Sequence, residues 1–310
     1  ETRRMFIEAA SKHHLSYGHG IIYTQKAFEL LERTGWEHAD VVLPQLALAT
    51  TWGTREDTLP YMSGAVATVR GLDLDALAAV PVDPNWTDPA LVDDLLEAID
   101  PPMERAVAAL EAGASVERLL DAVTLSVSRR LLRYDLDIEL DLDDNFGWLD
   151  ITHGLTTSRA TRWAYRANPG PDTVRQALWA VWLAYDTGRA ERRTSVAVEP
   201  VIEGQAGDIG RLIRLGDVHG TLAAIRAAGP CEAGEALIDA SLSDGSGAFI
   251  VIAHLIKMVK ASIEEADAIG SDLPLLATGR FLAAPRLERF VTRNVGEALD
   301  FVHTGRPPKR

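Results

Sequence analysis

Residues 148–167 read WLDITHGLTTSRATRWAYRA, and their spacing decides the fold. Leu149, His153, Thr156, Ala160 and Trp163 recur at steps of three and four. That is the period of one face of an α-helix; a half-buried strand would alternate every second residue. The same step runs through Ala10, His14, Tyr17, Ile21, Thr24, Phe28 and Leu31, through Leu212, Leu215, His219 and Leu222, and through Ile250, His254, Lys257 and Ala261. Each stripe places a histidine on a mainly apolar face. A buried imidazole without a partner costs about 1–3 kcal/mol for each unmet polar group. Repeating that on separate helices points to a shared partner, and a metal ion or a substrate is the candidate.

Helical periodicity extends over nearly the whole chain. It predicts helices near 3–33, 37–52, 55–70, 88–112, 115–134, 148–167, 171–188, 208–228, 232–243, 247–268 and 284–302. Pro169-Gly170-Pro171-Asp172 separates two of them, and Gly229-Pro230 ends another. Two segments depart from the pattern. YDLDIELDLDD (134–144) alternates acidic and aliphatic residues and reads as an extended edge or a long arm, and ERRTSVAVEP (191–200) reads as a short strand. The helices differ in length, so the expected fold is all-α: one domain over 1–310, an irregular multi-helix array around a central cavity with at most minor strand content.

The 310 residues are 47% hydrophobic and 25% charged, an ordinary balance for an ordered chain. A net charge of −14 argues against nucleic acid and anionic membranes as partners, since both need clustered Lys and Arg. Cys231 stands alone, which excludes disulfides within the chain, four-cysteine zinc sites and a self-contained iron–sulfur cluster. The most apolar stretch, FIVIAHLIKMV (249–259), is too short to span a bilayer, and residues 1–12 are too charged for a signal peptide. A cytoplasmic location is expected. The first residue is Glu1 and not Met, so an upstream segment or domain is expected to be missing.

The chemistry-bearing residues concentrate around the histidines. His13, His14 and His19 fall within seven residues, with Tyr17 and Tyr23 beside them. On an ideal helix His14 and His19 would point roughly 140° apart, so a kink at Gly18 or Gly20 is needed to aim both at one place. Asp150 lies one helical turn before His153, where it can act as a co-ligand, orient the imidazole, or cap the helix. Lys257 follows His254 by three residues and, with Arg159, Arg162 and Lys260, can hold an anionic substrate. The proposed metal ligands are His14, His19, His153 and His254, with His219 as a fifth candidate; His14, Tyr17, Tyr23, Asp150 and Lys257 are the catalytic candidates. No HExxH, no paired Glu-x-x-His helices and no Gly-rich phosphate loop is present. Gly216-Asp217-Val218-His219-Gly220 matches a metallophosphoesterase phrase, but the strand before it and the later Asn-His motif are missing. The acidic run from Asp135 to Asp144 lacks the glycine and terminal glutamate of a calcium loop.

Three stretches, HHLSYGHGIIYTQKAFELLE (13–32), LDITHGLTTSRATRWA (149–164) and VIAHLIKMVKASIEEA (251–266), resemble the questin-oxidase-like proteins. His254 with Lys257 matches that family's histidine followed by a polar residue three positions on, whereas Gln25 and Glu29 are displaced relative to the first histidines. The resemblance implies an oxygen-dependent oxidation of Baeyer–Villiger type on an aromatic or quinone-like small molecule. Related helical regions follow Rieske-type domains, so an electron-donor protein or upstream domain is the implied reductant. The expected activity is that of a monooxygenase, with a metal ion as cofactor: iron first, zinc or copper as alternatives. In the metal version three histidines bind the ion, Tyr17 or Tyr23 donates a hydrogen bond to bound oxygen and Asp150 orients His153; in the metal-free version the histidines are acid–base groups. The rival reading is a non-catalytic helical domain that binds a ligand or serves as a scaffold.

Overall fold

Where the sequence supplies a cap and an unbroken apolar stripe, the expected helix forms almost to the residue. Ser115 accepts a hydrogen bond from the backbone N–H of Arg118 and opens a helix over Val116–Arg133; Gly147 precedes Trp148–Ala167, and Pro171 opens Pro171–Asp186. The computed structural model describes residues 1–141, 144, 146–193, 199–245, 249–287 and 289–307, and within them the chain is all-α, 74% helical, with no strand. In chain order the helices are α1 (Thr2–Ser11), α2 (His19–Thr34), α3 (Ala39–Trp52), α4 (Ser63–Gly71), α5 (Leu74–Ala78), α6 (Leu91–Leu96), α7 (Met103–Glu111), α8 (Val116–Arg133) and α9 (Leu136–Leu140). They continue with α10 (Trp148–Ala167), α11 (Pro171–Asp186), α12 (Ile209–Leu215), α13 (Val218–Ala228), α14 (Pro230–Leu242), α15 (Phe249–Ile269), α16 (Leu273–Ala283) and α17 (Arg289–Thr304).

Several expected long helices are divided, each for a local reason. The helix expected over 3–33 splits into α1 and α2, because Ser16, Tyr17 and Gly18 all have left-handed backbones (φ 47°, 56° and 81°) that no α-helix accommodates. Pro101 and Pro102 divide 88–112 into α6 and α7. Gly216, left-handed at φ 69°, ends α12, and Asp217 caps α13 through the N–H of Gly220, dividing 208–228. Residues 56–62 form two short 3-10 turns before α4. The extended edge expected at 134–144 is not found among the described residues: Asp135 accepts from the N–H of Asp137 and starts the short helix α9, and 142–143 lie outside the described residues. In 191–200, Glu191–Arg193 is a 3-10 turn, and 194–198 lie outside the described residues.

Helix α10 is the structural axis. It packs on α8, α11, α15 and α2. The contacts fix the directions: His153 meets His254 while Arg162 meets Glu265, so α10 and α15 run parallel. His153 meets His19 and Phe28 lies 6.4 Å from Trp163, so α2 runs parallel to α10 as well. Three helices therefore start at the same end of the molecule, and each brings a histidine from its first or second turn. Farther along, a buried polar network binds α8, α10 and α15. Arg162 donates to both oxygens of Glu265 at 2.9 Å and reaches Asp121 at 2.9 Å, and Thr124 donates to Glu265 at 2.9 Å while meeting Ser158 at 2.8 Å. Arg162 and Glu265 are inaccessible to water, so the ion pair holds only because both members are fully hydrogen-bonded. Among the described residues, no helix is long and apolar enough to cross a membrane.

Candidate metal centre

His19 is the first residue of α2, and its Nδ1–H donates to the carbonyl of Ser16 at 2.6 Å. His153 and His254 each donate Nδ1–H to the carbonyl one turn back in their own helix, Leu149 and Ile250, the latter at 2.6 Å. A carbonyl oxygen only accepts, so in all three rings the proton sits on Nδ1 and the lone pair on Nε2. Those lone pairs point at one another. Nε2 of His153 lies 3.1 Å from Nε2 of His19 and 3.2 Å from Nε2 of His254, and the three atoms all fall within 4.8 Å of one another. Ligands at the usual metal–nitrogen distance of about 2.0–2.1 Å are separated by roughly 2.9 Å at right angles and 3.4 Å at the tetrahedral angle. The two spacings from His153, 3.1 and 3.2 Å, fall inside that range. His19, His153 and His254 thus have the geometry to hold a metal ion.

Electrostatics agree with the geometry. Burial, reinforced by the neighbouring Lys257, pushes the imidazoles of His19 and His254 down to about 4 and that of His153 well below its ordinary value. All three are neutral near pH 7, the state that binds metals. Lys257 places Nζ 3.2 Å from Nε2 of His153, and burial lowers its ammonium to about 7. Among the described residues it is the one N–H donor within hydrogen-bond distance of the converging nitrogens, and it meets that of His153.

A braced loop aims His19. Tyr17 N–H donates to Glu56 at 2.9 Å, and Ser16 exchanges backbone and side-chain hydrogen bonds with Thr54 at 2.8–2.9 Å. These contacts hold two non-glycine residues in the left-handed region, a conformation that costs of order 1–3 kcal/mol each and clusters at functional sites. Glu56 was not singled out in the sequence, because nothing in its local stretch distinguishes it.

The other candidates lie elsewhere. His14 does not join the group: it sits in the loop before α2, its Nε2 is 3.0 Å from Glu56 without an aligned hydrogen bond, and its ring packs at 5.1 Å on Trp182. The left-handed turn redirects the chain between His14 and His19, so only the second faces α10. His219 is exposed on α13, in a shallow surface hollow with Asp208, Arg211 and Asp217, and does not join the three converging histidines. Asp150 does not touch His153. It accepts from the Gly147 N–H at 2.9 Å and pairs with Arg189 at 2.7 Å, which is the capping alternative; the carbonyl of Leu149 orients His153 in its place. Arg159 and Arg162 are committed to Glu264 and Glu265, and Lys260 to Glu264. Tyr17 lies 6.0 Å from the His153 ring, half-buried, with its phenol pushed upward by burial. Tyr23 stacks on His19 at 5.0 Å from the solvent side.

The chain matches no protein-family model, no curated protein and no solved structure.

Proposed function

We propose that His19, His153 and His254 bind one divalent metal ion and that the chain is a metal-dependent oxidoreductase. One observation carries this reading. Three imidazoles, two buried (His153 and His254) and one half-buried (His19), have their Nδ1 protons fixed on carbonyls and turn three Nε2 lone pairs toward a common point. Facing lone pairs repel, and a cation between them converts that repulsion into binding. Three imidazoles leave coordination positions open for substrate or dioxygen. Iron is the favoured ion, with zinc and copper as alternatives. The oxidative assignment draws on the sequence resemblance, whose three phrases contribute His19, His153 and His254 respectively. In a Baeyer–Villiger oxidation one atom of dioxygen enters a carbon–carbon bond of an aromatic ketone and the other leaves as water. The balance needs two electrons and two protons, supplied by an external reductant such as a nicotinamide or a donor protein.

The test is the metal content of protein purified without chelators, read per chain, with His153→Ala and His254→Ala alongside. About one ion per chain, lost in both variants, supports the reading; a native chain that takes up no iron, zinc or copper on reconstitution refutes it. A second reading is favoured by the Lys257–His153 contact: a metal-free acid–base pair in which the amine and the imidazole exchange a proton with substrate. It predicts turnover that survives exhaustive chelation.

A further inference from the structure

Lys257 belongs to two places. Its Nζ touches His153, and its side chain lines a groove of about 500 Å³ between α2, α14 and α15. That volume is within the roughly 300–1,000 Å³ of small-molecule sites. The groove is floored by Leu30, Ile238, Leu242 and Ile256, aliphatic side chains that stand 40–68% exposed. Exposed aliphatic residues gathered in one concavity mark a binding surface more often than scattered ones do. The charge lining it is unusual for this chain. Lys26, Arg33, Lys257 and Lys260 face it against the single acid Glu29, in a protein whose net charge is −14. Lys26 is neutralised by Glu29 at 2.8 Å and Lys260 by Glu264 at 2.8 Å. Lys257, largely buried, has no carboxylate partner among the described residues. A carboxylate entering the groove finds at Lys257 an N–H donor that no carboxylate of the described residues occupies.

We infer that this groove is the substrate site and that its ligand is an apolar molecule ending in a carboxylate, with the carboxylate on Lys257 beside the three histidines and the apolar body along Leu30, Ile238, Leu242 and Ile256. The inference deepens the metal-centre reading and rests on it only for what the head group meets beyond Lys257. Charge selects the end of the ligand that enters, and the aliphatic floor supplies the area. A neutral molecule of the same length leaves Lys257 with His153 alone and no carboxylate.

The experiment is calorimetric titration of metal-free protein with octanoate and naphthoate, and with octanol as the neutral probe. At least one acid is expected to bind about tenfold or more tightly than octanol, and Lys257→Met to abolish that preference. Ile256→Glu, at a half-exposed groove position, is expected to repel the acids while leaving the fold intact, which gives an independent reading if Lys257→Met does not fold. Equal affinity for octanol and the acids, or acid binding unchanged in the folded variants, overturns the inference. Because the titration contains no metal, its failure leaves the metal reading intact. A chain that binds the acids but no metal refutes the metal reading and retains the groove.

Discussion

Helices α10 and α15 are joined at two levels. At one, Arg162 and Glu265 form a fully hydrogen-bonded ion pair, reinforced by Thr124, Ser158 and Asp121. At the other, nearer the helix starts, His153 and His254 meet through lone pairs, with His19 and Lys257 adding a third imidazole and an amine that has no carboxylate partner among the described residues. Both levels are buried and polar. The first satisfies its own charges and needs nothing further; the second is incomplete as protein alone. Satisfied networks hold a fold together, and incomplete ones mark where a ligand enters.

The difference is sharpest on removing one member of each. Glu265→Ala strands the Arg162 guanidinium in an inaccessible site and is expected to destabilise the chain by about 3–5 kcal/mol. His254→Gln, measured on metal-free protein by the same denaturant titration, is expected to cost about 1 kcal/mol, since it also removes one of the opposed lone pairs. Equal losses would break the distinction.

Acid separates the two levels next. In the unfolded chain histidines take up protons below about 6.5, whereas folded His19 and His254 resist until about 4. Between those values the unfolded state binds more protons, so stability rises with pH and falls as the solution is acidified from 6.5 toward 4. Below that window both states are protonated and the loss levels off. Asp150 and Asp186, raised by burial, act in the opposite direction. The comparison to make is therefore native protein against the His19→Gln/His254→Gln pair, in which the carboxylates cancel and the histidine contribution remains. A pH slope identical in the two proteins would remove these rings from the titration.

Much of this arrangement was legible in the sequence, and the parts that were not share a cause. The span of α10 was readable because its stripe is continuous and Pro169-Gly170-Pro171 stops it. Helix α9 was not: its alternating acids and aliphatics read as a strand, but one local cap from Asp135 decides the conformation of so short a piece. Helix α16 carries no amphipathic signal in the sequence because it shows no polar face; Leu275, Leu276, Ala277, Phe281 and Leu282 are buried around it. The four histidine stripes were visible, but their meeting was not. His14 and His19 look equivalent until Thr54 and Glu56, nearly forty residues away, pin the turn between them. His254 reaches His153 only because α10 and α15 run parallel, and the chain between them carries no mark of that.

Zinc gives the next measurement. A ligand that binds only the folded state at about a hundred times its dissociation constant adds about 2.7 kcal/mol of stability. The native chain and Glu265→Ala should both gain it, since the ion pair is separate from the imidazoles, and His254→Gln should not. Stabilisation of all three alike would place the zinc elsewhere.

The smallest expected effect concerns the loop that aims His19. Gly18 has φ 81°, and a Cβ there would stand 2.1 Å from Oγ1 of Thr157 on α10. Gly18→Ala therefore has two costs: about 1–2 kcal/mol for a left-handed alanine, and a clash that pushes α2 away from α10. Thr157→Ala removes the hydroxyl and relieves the second cost but not the first. The double variant should thus recover part of the lost stability and most of the lost zinc affinity, a coupling that independent sites would not show. If the turn only connects α1 to α2, zinc affinity will be the same in all four proteins. If it sets the height of His19 against His153, affinity will track the separation of the two helices, falling in Gly18→Ala and returning when the threonine is trimmed.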